Sequence, residues 1–93
     1  MKKFNLNYHV RVKLTDYGKD IYYHQYDKIN AECPGLLLKP SYPEVDENGF
    51  SVFQLWRFME LYGPHIYMAA RPVLEDLSIY INDCDLVDAG GDL

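Results

Sequence analysis

Apolar residues recur at every second position from Phe4 to Leu14. Phe4, Leu6, Tyr8, Val10, Val12 and Leu14 alternate with Asn5, Asn7, His9, Arg11 and Lys13. Successive strand side chains point to opposite faces, so this period of two predicts a strand over Phe4–Leu14, with one face on a core and one on water. Thr15 and Asp16 then offer side-chain oxygens to free backbone N–H groups and predict a helix start. In "DYGKDIYYHQYDKIN" Tyr22, Tyr26 and Ile29 follow at helical spacing, with Ile21 beside them. Lys19, Asp20, Tyr23, Asp27 and Lys28 fall mostly on the other side. Gly18 weakens the first turn. Asn30, which tolerates left-handed backbone, is the expected end.

Residues 31–49 break the periodicity. Pro34, Pro40, Pro43, Gly35 and the Asn48-Gly49 pair predict a long loop with at most a short strand near Leu36–Leu38. A loop of this length in a small domain points to function. The pattern recovers in "DENGFSVFQLWRFMELYG" (Asp46–Gly63). Ser51 followed three residues later by Gln54 reads as a capping box, and Phe50 with Leu55 reads as its hydrophobic staple. Val52, Leu55, Trp56, Met59 and Tyr62 then repeat at helical spacing, widened by Phe53 and Phe58, and Gln54, Arg57 and Glu60 mark the wet side. Gly63 and Pro64 are expected to stop this helix.

"PHIYMAARPVLED" is irregular, "LSIYI" (Leu77–Ile81) alternates as a strand, and residues 88–93 are expected to fray. These elements predict one α+β domain over residues 1–93. Its small antiparallel sheet is built on Phe4–Leu14 and Leu77–Ile81, with both helices packed on one face.

Ninety-three residues allow one modest core. Composition changes the picture in two respects. Nine tyrosines are an unusual supply of rings with polar tips, which favours a binding surface. The net charge of −5 is uneven. Residues 1–39 set seven Lys or Arg against four acids, a balance of +3, and residues 40–93 set two against ten, a balance of −8. An acidic chain argues against direct nucleic-acid binding, where neutralising phosphates supplies much of the affinity, and suits a basic partner. Cys33 and Cys84 lack ligand or disulfide-framework spacing and read as free thiols in a reducing cytosol. Apolar runs are too short to cross a membrane, and the start lacks the apolar region of a signal peptide.

Common nucleophile, phosphate-loop, zinc and dinucleotide motifs are absent, and no enzyme, metal or cofactor is expected. His24 stands four residues after Asp20, a spacing for a surface pair. A Cys33–His24 nucleophile pair has nothing in its spacing to support it. Asp83, Asp85 and Asp88 lack the glycine and spacing of a calcium loop and read as a solvated tail. A phosphate-recognising site would draw on Arg11, Arg71 and the Tyr22, Tyr23 and Tyr26 group.

"VRVKLTDYGKDIYYHQYDKIN" (Val10–Asn30), Asp46–Gly63 and "LSIYI", in this order, resemble small accessory proteins encoded by phages and prophages of Gram-positive bacteria. The matching residues are structural ones, so the resemblance carries no site across. It implies a short soluble protein of the host bacterial cytoplasm. Small acidic phage proteins of this kind look like inhibitors of bacterial immunity, such as anti-CRISPR proteins. The expected function is therefore non-enzymatic: to bind and block a bacterial defence protein such as a CRISPR nuclease. Glu44, Asp46, Glu47, Asp83, Asp85 and Asp88 would compete with nucleic acid for its basic groove. The alternative is a sponge that sequesters a nucleotide immune signal between protomers of a homo-oligomer, through Arg11, Tyr22, Tyr23, Tyr26 and Arg71.

Overall fold

The computed structural model describes residues 1–33, 35 and 38–88. Only the second half of the long alternation is strand. After the two-residue β1 (Lys2–Lys3), β2 runs His9–Leu14, and Val10, Val12 and Leu14 point from it into the core. Residues Asn5–Tyr8 form a turn instead, because Asn5 Oδ1 accepts from the Asn7 N–H at 2.8 Å and the Asn5 carbonyl accepts from the Tyr8 N–H at 3.0 Å. Short amides offer the backbone this local alternative to a ladder. Leu6 and Tyr8 are consequently exposed.

The central correction lies at Ser51–Gln54. These four residues are a strand, β3, paired antiparallel with β2 in the register His9↔Gln54, Val10↔Phe53, Arg11↔Val52 and Val12↔Ser51. Ser51 caps nothing, and its buried hydroxyl donates to the Glu44 carbonyl at 2.8 Å. Gln54 Nε2 donates to the Asn7 carbonyl. The helix after β3 runs Leu55–Tyr62 and has no side-chain cap. Its first donors are met by the N-terminal turn: the Leu55 N–H donates to the Tyr8 carbonyl at 2.9 Å and the Trp56 N–H to the Leu6 carbonyl at 3.0 Å. A helix start needs partners for its free N–H groups, and a distant backbone serves as well as a nearby Ser.

The buried face of this helix also differs from the expected stripe. Phe58 and Tyr62 are buried with Leu55 and Leu61 partly so, whereas Trp56 (42% exposed), Met59 and Val52 are exposed. Gly63 keeps right-handed geometry (φ −50°) and leads into a 3₁₀ turn, Gly63–His65, so it is not a left-handed stop.

Upstream, the expected single helix is two: α1 (Asp16–Tyr23) and α2 (Asp27–Glu32), which makes Leu55–Tyr62 α3. Between them Gln25 Oε1 accepts from Arg57 of α3, which ties the break to the third helix. Asn30 lies inside α2 and clasps the following loop, with its side chain bonded to both the N–H and the carbonyl of Leu38. The short strand expected near Leu36–Leu38 lies outside the described residues except at Leu38, which is not strand.

β4 runs Leu74–Tyr80, earlier than expected, and pairs antiparallel with β2. The sheet order is β3-β2-β4, so β2 is its centre. Asp76 and Leu77 hold left-handed backbone (φ 57° and 51°), and here the β2–β4 register slips. Such a bulge leaves residues unpaired and swings Leu77 into water. β5 (Val87–Asp88) pairs with β1, and Lys2 meets Asp88 at 2.7 Å, so the chain is still in a sheet at residue 88. The expected fraying at 89–93 lies outside the described residues.

One junction holds these parts together. Thr15 N–H and Oγ1 donate to the carbonyls of Val73 (3.1 Å) and Pro72 (2.7 Å), and Thr15 Oγ1 accepts from the Gly18 N–H (3.1 Å) as the α1 cap. Gly18 packs so closely that a Cβ there would stand 2.4 Å from the Val73 oxygen. The fully buried Tyr62 of α3 donates its hydroxyl to the Gly18 carbonyl at 2.9 Å. Burial, and secondarily Tyr22, push the Tyr62 phenol well above the usual tyrosine range, against a lowering by Arg57.

Gly18→Ala should therefore cost about 1–3 kcal/mol by overpacking against backbone, read as a lowered urea midpoint. Tyr62→Phe should cost about 1 kcal/mol. In the unfolded chain Tyr62 loses its proton near pH ~10, while the folded chain still holds it. Stability should fall as pH rises through that value, and Tyr62→Phe should flatten the slope. An unchanged slope in Tyr62→Phe would refute the buried-phenol assignment.

Candidate functional site

α1 and α3 pack on the core face of the sheet, and the contents of the other face follow from the register. Along β2 the residues that alternate with the core positions are His9, Arg11 and Lys13. Val52 of β3 and Tyr80 of β4 stand directly opposite Arg11 on either side. The ring of Phe50 meets Tyr80 edge to face at 4.9 Å, and Lys13 Nζ lies 4.9 Å from the Phe50 ring centre. A cleft of about 250 Å³ opens at the His9 end, lined by Tyr8, His9, Arg11, Val52, Tyr80, Asn82 and Asp85. Neither Arg11 nor Lys13 has a carboxylate within ion-pair distance among the described residues.

Of the expected acidic residues, Asp85 lines the cleft of this face, and the others lie before β3, in the 3₁₀ turn after β4 and in β5. Glu44 and Asp46 line a larger cleft of about 520 Å³ beside Phe50 and Val52, floored by Tyr22 and Phe53. Asp46 is a structural residue: its Oδ1 accepts from the N–H groups of Asn48 (2.9 Å) and Phe50 (2.8 Å), which closes the turn before β3. Glu47 is exposed beside it. Asp83 and Asp85 begin and end a 3₁₀ turn after β4. Asp88 is taken by Lys2. Glu44, Glu47, Asp83 and Asp85 have no ion-pair partner among the described residues.

The residues expected to recognise phosphate are scattered. Arg11 is on the outward face, and Arg71 lies 4.6 Å over the Tyr17 ring. Tyr22 packs on Phe53, Tyr23 stacks on Tyr42 at 4.6 Å, and Tyr26 is the half-buried residue before α2. His24 pairs with Asp27 at 2.7 Å and not with Asp20. It also lines an apolar cleft of about 420 Å³ between α1 and α3, with Tyr17, Ile21, Leu61 and His65. Cys33 and Cys84 are both exposed. No group of three or more His, Cys, Asp or Glu among the described residues could hold a metal ion, and no helix among them is long and apolar enough to cross a membrane.

Sequence reasoning missed Lys13, Phe50 and Tyr80 as neighbours. The signal was the polar half of the first alternation, which names the outward residues of β2. Their flanking partners required the register of β3, a strand hidden inside a helix-like pattern. No protein-family model, curated protein or solved structure matches the chain.

The exposed apolar residues of α3 make a separate test. Trp56→Ala should change stability by about 1 kcal/mol or less, because the ring keeps much of its surface in water. Phe58→Ala, on the buried face, should cost about 3–5 kcal/mol. Equal losses by thermal melting would show that α3 is rotated from the orientation described.

Proposed function

We propose that this protein works by binding and carries out no chemistry of its own, as a phage counter-defence protein that occupies the basic groove of a bacterial immune protein such as a CRISPR nuclease. The observation that supports this reading is the set of unpaired carboxylates in the segments before β3 and after β4. Glu44 and Glu47 in the first, and Asp83 and Asp85 in the second, present carboxylates without ion-pair partners among the described residues. Unpaired charges on turns steer association with an oppositely charged surface and exclude like-charged partners. Asp46 and Asp88 belong less to this contact surface, since one closes a turn and the other pairs with Lys2.

The nucleotide-sponge reading keeps one supporting observation, the cleft that places Arg11 between Tyr8 and Tyr80. Tyr22, Tyr23, Tyr26 and Arg71 do not join it.

A phage-protection assay in a host carrying a defined CRISPR nuclease tests the proposal. Glu44→Lys with Glu47→Lys, and Asp83→Lys with Asp85→Lys, should each reduce protection while leaving the melting temperature nearly unchanged. Against the isolated nuclease the reversals should lower the association rate more than they raise the dissociation rate. Full protection by both double variants would reject the acidic-surface reading.

A further inference from the structure

We infer that the outward sheet face is a binding site for single-stranded nucleic acid, with the phosphate backbone running along β2 and bases resting on Tyr80 and Phe50. This goes beyond the counter-defence reading and does not depend on it: its contacts are cations and rings of the sheet, and Asp85 alone borders both surfaces. Arg11 and Lys13 project from the same face of one strand, so the two cationic positions stand about 6.8 Å apart, twice the strand rise. An extended single strand repeats its phosphates at a comparable spacing. Two such positions suit successive phosphates of a repeating anion, where a lone phosphate would engage only one. Arg11 and Lys13 have no carboxylate partner among the described residues, so their charge is available.

The rings complete the chemistry. Tyr80 stands beside Arg11, Phe50 lies under Lys13, and Tyr8 closes the cleft at the His9 end. Aromatic faces beside a cationic track are the general means of holding a strand with little sequence preference, since every base has a face to stack. Val52 and Gln54 on β3 and Asn82 beyond β4 add no charge to this platform. Asp85 stands at the lip of the small cleft, and Glu75 of β4 follows Leu74, the partner of Leu14, so a carboxylate stands at each end of the cationic track. The net charge of the whole chain does not describe this face, because it sums acids spread over the helices, the turns and β4.

Fluorescence anisotropy with a labelled twelve-nucleotide oligo-dT at low salt reads the site directly. Cyclic dinucleotide and polyglutamate serve as unlabelled competitors. The expected result is binding that weakens steeply with salt, and that falls about tenfold in Arg11→Glu and in Lys13→Glu with a shallower salt slope. Tyr80→Ala should weaken binding by about tenfold through a lost base–ring stack. Asp85→Asn should tighten it, and Lys28→Glu, on exposed α2, should leave it unchanged. Far-ultraviolet circular dichroism of each variant excludes misfolding as the cause. The proposal is overturned if wild-type protein does not bind the oligonucleotide, or if Lys28→Glu weakens it as much as Arg11→Glu does. It is equally overturned if polyglutamate competes as well as unlabelled oligo-dT, which would mean a generic anion patch, or if cyclic dinucleotide does, which would mean a small-ligand site.

Discussion

The contact on which the molecule depends is the approach of Gly18 to the Val73 carbonyl. With no Cβ at residue 18, the first turn of α1 lies directly on the backbone leading into β4. Thr15 then bonds both carbonyls of that segment, and Tyr62 reaches in from α3 to bond Gly18 itself. Three parts of the chain far apart in sequence meet at one point through backbone groups. A glycine that costs the helix some propensity is therefore a condition for closing the fold, an instance of tertiary contact outweighing local preference.

From that junction the layers follow. α1 and α3 are set against the face of the sheet that carries Val10, Val12 and Phe53, and the core they share is small: among the described residues, Leu14, Phe58, Tyr62, Val73 and Leu74 complete the buried hydrophobic cluster. A second exchange supports it from the N-terminus, where the Asn5–Tyr8 turn gives its carbonyls to the start of α3. Both arrangements use backbone partners from remote segments, which is how so short a chain satisfies its helix ends while few of its side chains are buried.

Covering one sheet face leaves the other to define the surface chemistry. The alternation that drives Val10 and Val12 inward necessarily drives His9, Arg11 and Lys13 outward, and the β3 and β4 registers bring Val52, Phe50 and Tyr80 around them. Glu47, Asp83 and Asp85 stand on the turns before β3 and after β4. A chain that is acidic on average thus presents Arg11, Lys13 and two rings at the centre of its sheet, with carboxylates on the neighbouring turns. Both proposals draw on this division, the first on the turns and the second on the centre.

The chain pattern alone was enough for the α+β class, the antiparallel pairing of the first and last alternating segments, the Thr15 cap and the turn at Asn48-Gly49. Each depends on residues close in sequence or on a period long enough to be unambiguous. Ser51–Gln54 shows the limit. Its capping-box spelling is genuine, but the edge of β2 offered a ladder, and pairing Val10 with Phe53 buried a ring that a helix start would have left less covered. Phe4–Tyr8 shows the same limit from the other side, where a clean period of two yielded to an asparagine turn that caps a distant helix. The roles of Gly18 and Tyr62, and the gathering of Arg11, Lys13, Phe50 and Tyr80, were equally hidden. Local spacing determined which residues shared a face. Only the tertiary structure decided which faces met, because that choice rests on backbone partners and close approaches between segments many residues apart.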